Sequence, residues 1–552
     1  MSLRKSISQV IIGHIKNRYG YNNVYANSIL TAIKRLLSRN LLEYEFPQAI
    51  ITEELSKIVI DDEFQETLSK INEKEARRKK EGVYYTNRDV TDFLASNTLL
   101  HYAQSTQNKV YSYNKAFCKL DSLDYEDKRN VITASVLDPT CGTGEFLLSV
   151  LSIKISLSKQ LENIKYIELV NSIYGNDIEV QSTEITKLRV FFVLVDSYEG
   201  VLPVNEIADV INKNFTSVDA VVCNSKTFGH KDIVIGNPPY VEYRNYEGNH
   251  TFNYGNVYAD VLHHSVDMLT EHGIMAFVIP LSYISTIRMS QIRNYICENT
   301  NKQIVMNFAD RPDCLFSCVH QKLSIIIAQK KSDYHGVLTS SYQYWYRSER
   351  KKLFDDIEIS VTNTSNKAYW PKVGNRIESS IYNKFLKLKG DDMLSLNKDV
   401  ETSNLYINQR GCFWMKVFTK DMHSNSYSLY KIATEKQPFV YCLVNSSLFF
   451  LIWIIISDGW HITNKELSFI KIPANIGSLS VWQNLMKRLE EKLEKTKVYV
   501  GTKQVDYEYK HKECKDIIDE IDNEIAEIYK LSKTQLNYIK KFGLKYRLGD
   551  GA

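Results

Sequence analysis

The chain has 552 residues, of which 44% are hydrophobic and 24% charged, and it carries 69 Lys plus Arg against 65 Asp plus Glu. This length predicts roughly three or four domains, and the composition excludes a disordered or collagen-like protein. The net charge of +4 neither requires nor excludes a nucleic-acid partner, because a basic stripe can lie within a nearly neutral total.

Four regions follow one another along the chain. Residues 1–80 have helical spacing of apolar side chains and predict a helical N-terminal segment. Residues 81–335 alternate short apolar strands with amphipathic stretches, which predicts an α/β domain with a mostly parallel sheet covered on both faces. Residues 336–480 are rich in Tyr, Ser, Asn and Trp and predict a second, mixed domain, whereas 481–552 predict a helical C-terminal region. The predicted strands of the α/β domain are Ala134–Leu137, Ser172–Tyr174, Asp232–Ile235, Ile274–Ile279, Ile304–Phe308 and Ser324–Ala328.

Cysteine usage and hydropathy predict the compartment. The nine cysteines are scattered singly without a CxxC pair, which predicts reduced thiols in a cytoplasmic protein and no structural metal. The longest apolar run, Leu448 to Ile456, is shorter than the roughly 20 residues that a bilayer span needs. We therefore expect a soluble protein without membrane association.

The first candidate site is a strand that leads into a glycine-containing turn and a helix. The turn reads Asp138-Pro139-Thr140-Cys141-Gly142-Thr143-Gly144. Glycines let a ligand approach the backbone, and the start of a helix presents unpaired N–H groups. The third glycine of the dinucleotide fingerprint is missing, so a plain tight turn is an equal alternative.

Two further carboxylates follow later strands. Asp177, in Gly175-Asn176-Asp177-Ile178, stands where an acidic residue can accept both hydroxyls of a ribose. A turn or capping role is an equal alternative. Asp219 is a candidate polar contact for a purine ring.

The third and most specific motif is Asn237-Pro238-Pro239-Tyr240 after the apolar strand at 232–235. The amine of an aromatic base is a poor nucleophile, because its lone pair is delocalised into the ring. The side-chain oxygen of Asn237 and the carbonyl of Pro238 can hold both amine hydrogens, and consecutive prolines stiffen the turn. Tyr240 offers a face on which an extruded base can stack. The structural alternative is a proline-rich strand-to-loop turn.

Together these motifs resemble the S-adenosylmethionine-dependent N6-adenine DNA methyltransferases, in particular the restriction-modification group in which a catalytic domain precedes a target-recognition domain. The resemblance implies a Rossmann-like class I methyltransferase domain at 81–335 and a mixed α+β recognition domain at 336–480. It also implies S-adenosyl-L-methionine as cofactor, double-stranded DNA as substrate and a flipped adenine as the target. A separate restriction endonuclease partner stays open.

The resemblance also assigns roles to single residues. Those about the methionine part of the cofactor are Tyr84, Thr86, Asp138, Thr140, Gly142 and Gly144. Those about its nucleoside are Asp177, Ile178 and Asp219. The catalytic residues are Asn237, Pro238, Pro239 and Tyr240, and the rings that stack on the base are Tyr240 and Phe316. A core position for Phe316 is an equal alternative, and Asn87 stands where the family usually has proline.

Three other functions stay open. The Asn-Pro-Pro-Tyr logic also serves RNA amino groups and glutamine amides in proteins, but such enzymes tend to be compact. A non-catalytic DNA-binding subunit would not need intact motifs. A fused nuclease would need an acidic cluster of the Asp…Glu-x-Lys type, which residues 1–80 lack, so we expect methylation without cleavage. Basic residues that are candidate phosphate contacts, with a solvated surface as the alternative, are Arg347, Arg350, Lys351 and Lys352.

Overall fold

A nine-stranded sheet forms the centre of the computed structural model, which describes residues 7–20, 24–38, 61–70, 86–316, 320–396, 400–501 and 506–549. In space the strands follow the order β3-β2-β1-β4-β5-β7-β6-β8-β9. Their bounds are β1 Val136–Asp138, β2 Ile173–Asn176, β3 Phe215–Thr216, β4 Lys231–Gly236, β5 Leu269–Pro280, β6 Lys302–Phe308, β7 Leu323–Gln329, β8 Gly336–Gln343 and β9 Ile359–Val361.

The sheet is mixed, with β3, β2, β1, β4 and β5 parallel to one another. Strand β7 is antiparallel to both β5 and β6. Every residue of β6 and of β7 is buried, which shows that both faces of the sheet are covered because successive side chains point to opposite faces. The predicted α/β class and the six predicted strands are thus present.

The strand order reverses between β1 and β4. The chain runs from β1 outwards to β2 and β3 and then returns to β4, which pairs with the other side of β1. In open α/β sheets, ligands bind outside the carboxyl ends of the strands at such a reversal. Asp138 ends β1 and Gly236 ends β4, so the first and third sequence motifs meet at this edge.

Helices connect these strands and cover the sheet. The largely buried helix Arg88–Ala103 comes before β1 in the chain. Long helices follow β1, β2 and the loop after Asn237. The helices of this region are Arg88–Ala103, Tyr113–Asp121, Tyr125–Thr133, Glu145–Ser158, Tyr166–Asn171, Val180–Asp196, Val204–Asn214, Ser225–Phe228, Val257–Met268, Ser282–Ser285 and Ser290–Asn299.

The predicted N-terminal helices pack against the helices that follow β2. Within the described residues they are Ile7–Tyr19, Val24–Leu36 and Asp61–Lys70. The ring nitrogen Nε2 of His14 lies 2.9 Å from Asp196 Oδ2, and Arg35 pairs with Asp209 at 3.2 Å.

The sheet continues beyond residue 335, where the sequence predicts a domain boundary. Strand β8 pairs in parallel with β6, and β9 pairs with β8. Residues 336–361 therefore complete the central sheet, while the division of the chain into four domains stays a prediction.

The following region is mixed, as expected for 336–480. Strands β10 (Thr402–Asn408), β11 (Val417–Phe418) and β12 (Tyr427–Ala433) form an antiparallel sheet. The helices here are Arg376–Leu386, Gln437–Asn445, Ser447–Ile456 and Asn464–Leu467. The apolar run lies in Ser447–Ile456, all of whose residues are buried. Among the described helices none alone is long and apolar enough to cross a membrane; Gln437–Asn445 and Ser447–Ile456 are so only together, across a bend of 65°.

The C-terminal region is helical, with a small hairpin of β13 (Val498–Tyr499) and β14 (Tyr507–Glu508). Its helices are Leu479–Thr496, Lys515–Ile528, Lys533–Lys541 and Leu544–Leu548. In the first of these, Leu485, Leu489 and Leu493 are buried as their spacing predicts. The same spacing would place Val481 on the buried face, but Val481 is 37% exposed and its neighbour Trp482 is buried instead.

Candidate active site

The turn after β1 has a backbone conformation that favours glycine at two positions. Gly142 and Gly144 both have positive φ, +53° and +93°, which L side chains adopt only with strain. A Cβ at Gly144 would lie 2.7 Å from Cγ2 of Thr186. Thr186 in turn donates a hydrogen bond to the carbonyl of Gly142 at 2.8 Å. The turn therefore packs tightly on one side, and Glu145 begins the helix.

Asp177 holds the turn from the neighbouring strand. Its carboxylate accepts from the backbone N–H of Gly142 and from that of Glu179, both at 2.9 Å. The next residue, Ile178, is 62% exposed. An apolar side chain left uncovered beside a carboxylate fits the ring and ribose of a nucleoside.

Asp138 is almost completely buried at the strand reversal, with 1% of its surface exposed. Burial raises the pKa of its carboxyl well above the usual range, the N–H of Thr140 lowers it, and the charge of Asp177 raises it again. The Thr140 N–H donates to Asp138 Oδ1 at 3.0 Å. A Cβ at Gly236 would lie only 2.6 Å from that same oxygen, so glycine before Asn237 leaves room for Asp138.

Asn176 joins the three loops on the outer side of the site. Its amide donates to the carbonyls of Pro139 and Val218 at 2.9 and 2.8 Å, and its oxygen accepts from Thr216 Oγ1 at 2.8 Å. One buried amide thus connects the end of β2 to the loops that follow β1 and β3, next to Asp177 and close to Asp219 in the chain. Asn176 is not among the residues predicted from the sequence, where its only signal is an amide at the end of an apolar strand.

Asp219 is bound to a residue that lies beyond the catalytic turn. Its Oδ1 accepts from the N–H of Val221 at 3.0 Å, and its Oδ2 accepts from the hydroxyl of Tyr246. Burial and the adjacent carboxylate raise the pKa of Tyr246, so the hydroxyl remains a donor at neutral pH. No sequence motif indicates this contact.

The Asn-Pro-Pro-Tyr turn has a defined hydrogen-bond arrangement. Asn237 Nδ2 donates to Thr86 Oγ1 at 3.1 Å, which turns the amide oxygen towards Tyr240. The Tyr240 hydroxyl lies within reach of Asn237 Oδ1 and of the Val278 carbonyl, at 3.0 Å from the latter. Its ring packs edge-on against Tyr258, with centroids 6.5 Å apart. Thr86, which the resemblance assigns to the cofactor, thus lies next to Asn237, which in turn contacts Tyr240.

The remaining predicted residues differ in burial. Pro238 is buried and Pro239 half-buried within the turn. Phe316 is fully buried, so its ring offers no exposed face to a base in this structure. Tyr84 lies outside the described residues.

Arg350, a candidate phosphate contact, is instead engaged inside the protein. Its guanidinium forms a two-pronged contact with the carboxylate of Asp89 and donates to the carbonyls of Cys314 at 3.2 Å and Leu315 at 2.9 Å. Asp89 lies in the first turn of the helix that follows Thr86. Arg350 therefore connects the segment after β8 to the start of this helix and to the loop at 314–315.

The residues present fit S-adenosylmethionine by one direct observation. Thr140 Oγ1 is buried without a hydrogen-bond partner, although buried polar atoms are normally paired. It stands in the turn of Gly142, where an added Cβ would have no neighbouring atom within 4 Å. A buried hydroxyl without a partner and open space at Gly142, two residues further on, are both compatible with a polar ligand at this turn. Within the described ranges, no group of three or more His, Cys, Asp and Glu side chains could hold a metal ion.

Part of this chain is similar to known proteins. Residues 171–314 match the family model described as Eco57I restriction-modification methylase. A putative type II restriction enzyme and methyltransferase of Methanocaldococcus jannaschii is 27% identical over 154 residues, which cover 23% of this chain and 13% of that protein. The match thus spans only a small part of the relative's length.

Two solved structures are among those similar to this chain. The Type IIL restriction-modification enzyme MmeI, in complex with DNA, has a TM-score of 0.52 at 12% identity, over 98% of this chain and 93% of MmeI. The Type ISP enzyme LlaGI, as a nuclease-deletion mutant, has a TM-score of 0.48 at 12% identity, over 88% of this chain and 53% of its own. At such identities, the first likeness establishes the fold alone. Residues 171–314, which match the Eco57I restriction-modification methylase model, include Asp177, Asp219 and the Asn-Pro-Pro-Tyr turn.

Proposed function

We propose that this protein transfers a methyl group from S-adenosylmethionine to the N6 nitrogen of an adenine in duplex DNA, at a specific sequence, as the modification enzyme of a restriction-modification or related defence system. One observation carries the proposal. Asn237, whose amide donates to Thr86 Oγ1, directly follows β4 at the edge of the sheet where Asp138 ends β1 and the glycine turn begins.

The residues of this chain would bind the cofactor through its polar and apolar parts. Asp138, Thr140, Gly142 and Gly144 would surround the methionine part, while Asp177 would accept from the ribose. Ile178 and Asp219 would contact the adenine ring and its amino group. When bound, S-adenosylmethionine supplies an electrophilic methyl group.

Asn237 and Pro238 would hold the amine of the target base. The Tyr240 hydroxyl can donate to the Val278 carbonyl instead of to Asn237, which leaves the Asn237 oxygen ready to accept an amine hydrogen. The Pro238 carbonyl would accept the second, and holding both favours a more tetrahedral nitrogen with an available lone pair. The ring of Tyr240 would stack on the flipped base. No strong base is needed, because the nitrogen becomes acidic once it is methylated.

The direct test uses labelled cofactor and genomic DNA, which is then digested to nucleosides. Label in N6-methyladenine is the expected result, and intact DNA would agree with methylation without cleavage. Label in RNA or in protein glutamine would replace the proposal by one of those alternatives. No transfer to any acceptor despite DNA binding would favour a non-catalytic subunit.

Substitution of Asn237 tests the mechanism. Asn237→Ala should lower the rate of methyl transfer by about 10²–10³-fold, because it removes a preorganised acceptor, while cofactor affinity stays within about twofold. Asn245→Ala, in the exposed part of the following loop, is the matched control and should keep full activity. Loss of cofactor binding in Asn237→Ala would show that its role is wrongly assigned.

A further inference from the structure

A rigid turn, Asp458 to His461, presents two rings at the protein surface. Asp458 Oδ1 accepts from the backbone N–H groups of Trp460 and His461, both at 2.8 Å, and Asp458 Oδ2 lies 2.7 Å from His461 Nδ1. The turn is also fixed from below, because Trp453 Nε1 donates to the His461 carbonyl at 2.8 Å. Yet Trp460 is only half-buried, and the side chain of His461 is 59% exposed. The proposed methyl transfer gives this turn no role.

Two cations from the connection between β6 and β7 lie over the indole of Trp460. Lys322 Nζ is 4.7 Å and the Arg311 guanidinium carbon 5.8 Å from the ring centroid, distances at which a cation is attracted to the ring. Gly459 has positive φ, and a Cβ there would lie 3.2 Å from the Lys322 side chain. The turn therefore packs on the stem of Lys322, whose ammonium also pairs with Asp310 at 3.1 Å.

A third cation stands beside the turn. Arg410 is exposed and forms a backbone bridge with His461. In the part of the chain that the structure describes, neither Arg311 nor Arg410 has a carboxylate within 4.0 Å. We call Arg311, Lys322, Arg410, Trp460 and His461 the Trp460 patch. Exposed guanidinium groups without a carboxylate are suited to bind an external anion, and phosphate matches their planar geometry.

The Trp460 patch lies at the same edge of the sheet as Asn237. Lys322 immediately precedes Leu323, which pairs with Pro280 at the end of β5, and β5 pairs with β4. Two strand spacings across and three to four residues along the strands amount to roughly 15 Å. That separation corresponds to about four nucleotides along a duplex, whose phosphates on each strand are spaced about 3.4 Å apart along the helix axis.

We propose that the Trp460 patch binds the phosphate backbone of duplex DNA next to the target base, which rests on the proposed function. Arg311 and Arg410 would each contact a phosphate, while Trp460 holds Arg311 and Lys322 in place. Contacts to phosphate position a protein on DNA without reading its sequence. The patch therefore contributes affinity for all sequences and leaves target choice to other residues.

The experiment measures binding of the full chain to a mixed-sequence DNA duplex at several salt concentrations. The test protein carries Arg311→Gln and Arg410→Gln, both exposed positions. The control carries Lys159→Gln and Lys331→Gln, exposed positions at the opposite edge of the sheet, so that both proteins lose two positive charges. The test protein should bind about tenfold more weakly at low salt, and its slope of log affinity against log salt should be shallower by about 0.9 for each phosphate that is no longer neutralised.

Three outcomes would overturn the proposal. They are an unchanged salt slope, an equal loss of affinity in the control, and a loss confined to one DNA sequence, since the last would indicate base reading. A protein that binds duplex RNA or acidic peptide through these residues, and DNA no better than the control, would also contradict it. The methylated product in the wild type reports on the proposed function separately, because DNA binding is measured here without cofactor.

Discussion

At the scale of single residues, tyrosine hydroxyls bound to carboxylates recur in the segment after the catalytic turn. Tyr243 donates to Asp260, and Tyr246 donates to Asp219. Both tyrosines have raised pKa values, first because of burial and then because of the carboxylate. The abundant tyrosines of this chain are thus partly explained as anchors that fix a loop next to the site.

These two anchors allow a matched comparison. Tyr246→Phe removes the hydroxyl that positions Asp219, the carboxylate that we assign to the cofactor adenine. Cofactor affinity should therefore fall about fivefold to tenfold, which corresponds to roughly 1 kcal/mol, the net value of an ordinary hydrogen bond. Tyr243→Phe removes an equivalent contact from Asp260, which has no such role, and should leave affinity unchanged. Titration calorimetry with S-adenosylmethionine measures both. Equal effects would mean that Asp219 is not a cofactor contact.

The buried carboxyl of Asp138 should make the cofactor-free protein less stable at neutral pH, because a role in binding keeps an ionisable group in a buried position. Its pKa is raised above the usual value near 3.8, mainly by burial, so the folded state holds its proton at a pH where the unfolded state has released it. Stability from this group therefore falls as pH rises from the unfolded pKa through the folded one, and is level above it. Asp138→Asn should remove that fall and raise the melting temperature of the free protein at neutral pH. It should also abolish the further stabilisation by cofactor; a variant stabilised by cofactor as much as wild type would contradict the assignment.

Residues whose chemistry is local can be recognised from the sequence. Around Asp138, Gly142 and Gly144 the strand, the tight turn and the helix follow one another within a few residues, so this local structure is predictable, while the cofactor role of the three residues stays a prediction. Asn176 and Tyr246 are not, because their partners come from loops that only the folded sheet brings together. Phe316 shows the converse, since a ring close to a motif in sequence is buried in the fold.

At the scale of elements, Arg350 ties the helix Arg88–Ala103 to the loop at 314–315. Its contacts to Asp89 and to two carbonyls come from a short helical turn, Arg347–Lys352, which follows β8. The helix begins next to Thr86, the residue that orients Asn237. Arg350 is therefore a positioning residue for the amide that we assign to catalysis.

Replacing Arg350 should separate turnover from cofactor binding. Arg350→Met leaves Asp89 without its partner and should lower the rate of methyl transfer about tenfold, with cofactor affinity nearly unchanged; Arg350→Lys should restore part of the rate. Arg347→Met, an exposed neighbour, is the control. A parallel fall in cofactor affinity would indicate a general loss of structure instead.

Strands β8 and β9 escape prediction for a physical reason. Thr339 and Ser340 of β8 are completely buried, and in the sequence they have the pattern of a solvent-exposed loop. The Thr339 hydroxyl is 3.0 Å from the carbonyls of Pro371 and Val373. Polar residues whose hydrogen bonds are satisfied inside a core break the apolar pattern on which strand prediction depends.

At the scale of the whole molecule, the last helix binds distant regions together. The Arg547 guanidinium is buried between the rings of Trp414 and Phe450, 4.0 and 4.4 Å from their centroids, and it donates to the Phe413 carbonyl at 2.9 Å. Trp414 Nε1 donates back to the Arg547 carbonyl at 3.0 Å. Nearby, Lys545 pairs with Glu349. The helix thus contacts both the segment after β8 and the loop that follows β10.

Removing this cation should destabilise the protein. Arg547→Met removes a buried positive charge, which leaves the Phe413 carbonyl without its donor and the nearby Asp522 without an opposite charge. We therefore expect the free energy of unfolding to fall by about 3 kcal/mol. Urea denaturation followed by tryptophan fluorescence measures it. Lys541→Met, an exposed cation on the preceding helix, should change stability by less than about 0.5 kcal/mol. Similar free energies of unfolding for the two variants would show that Arg547 contributes little to stability.

The continuation of the central sheet into β8 and β9 determines where this protein could be recombined with a relative. A hybrid joined at residue 335 would separate β6 from β8, and the bare backbone groups of β6 would promote association with other chains. A hybrid joined after Val361 would keep every sheet pairing seen from β3 to β9. An exchange of the later region, to which the resemblance assigns target recognition, would therefore have to begin beyond that strand, so the unit that must be kept together is larger than the methylase motifs alone suggest.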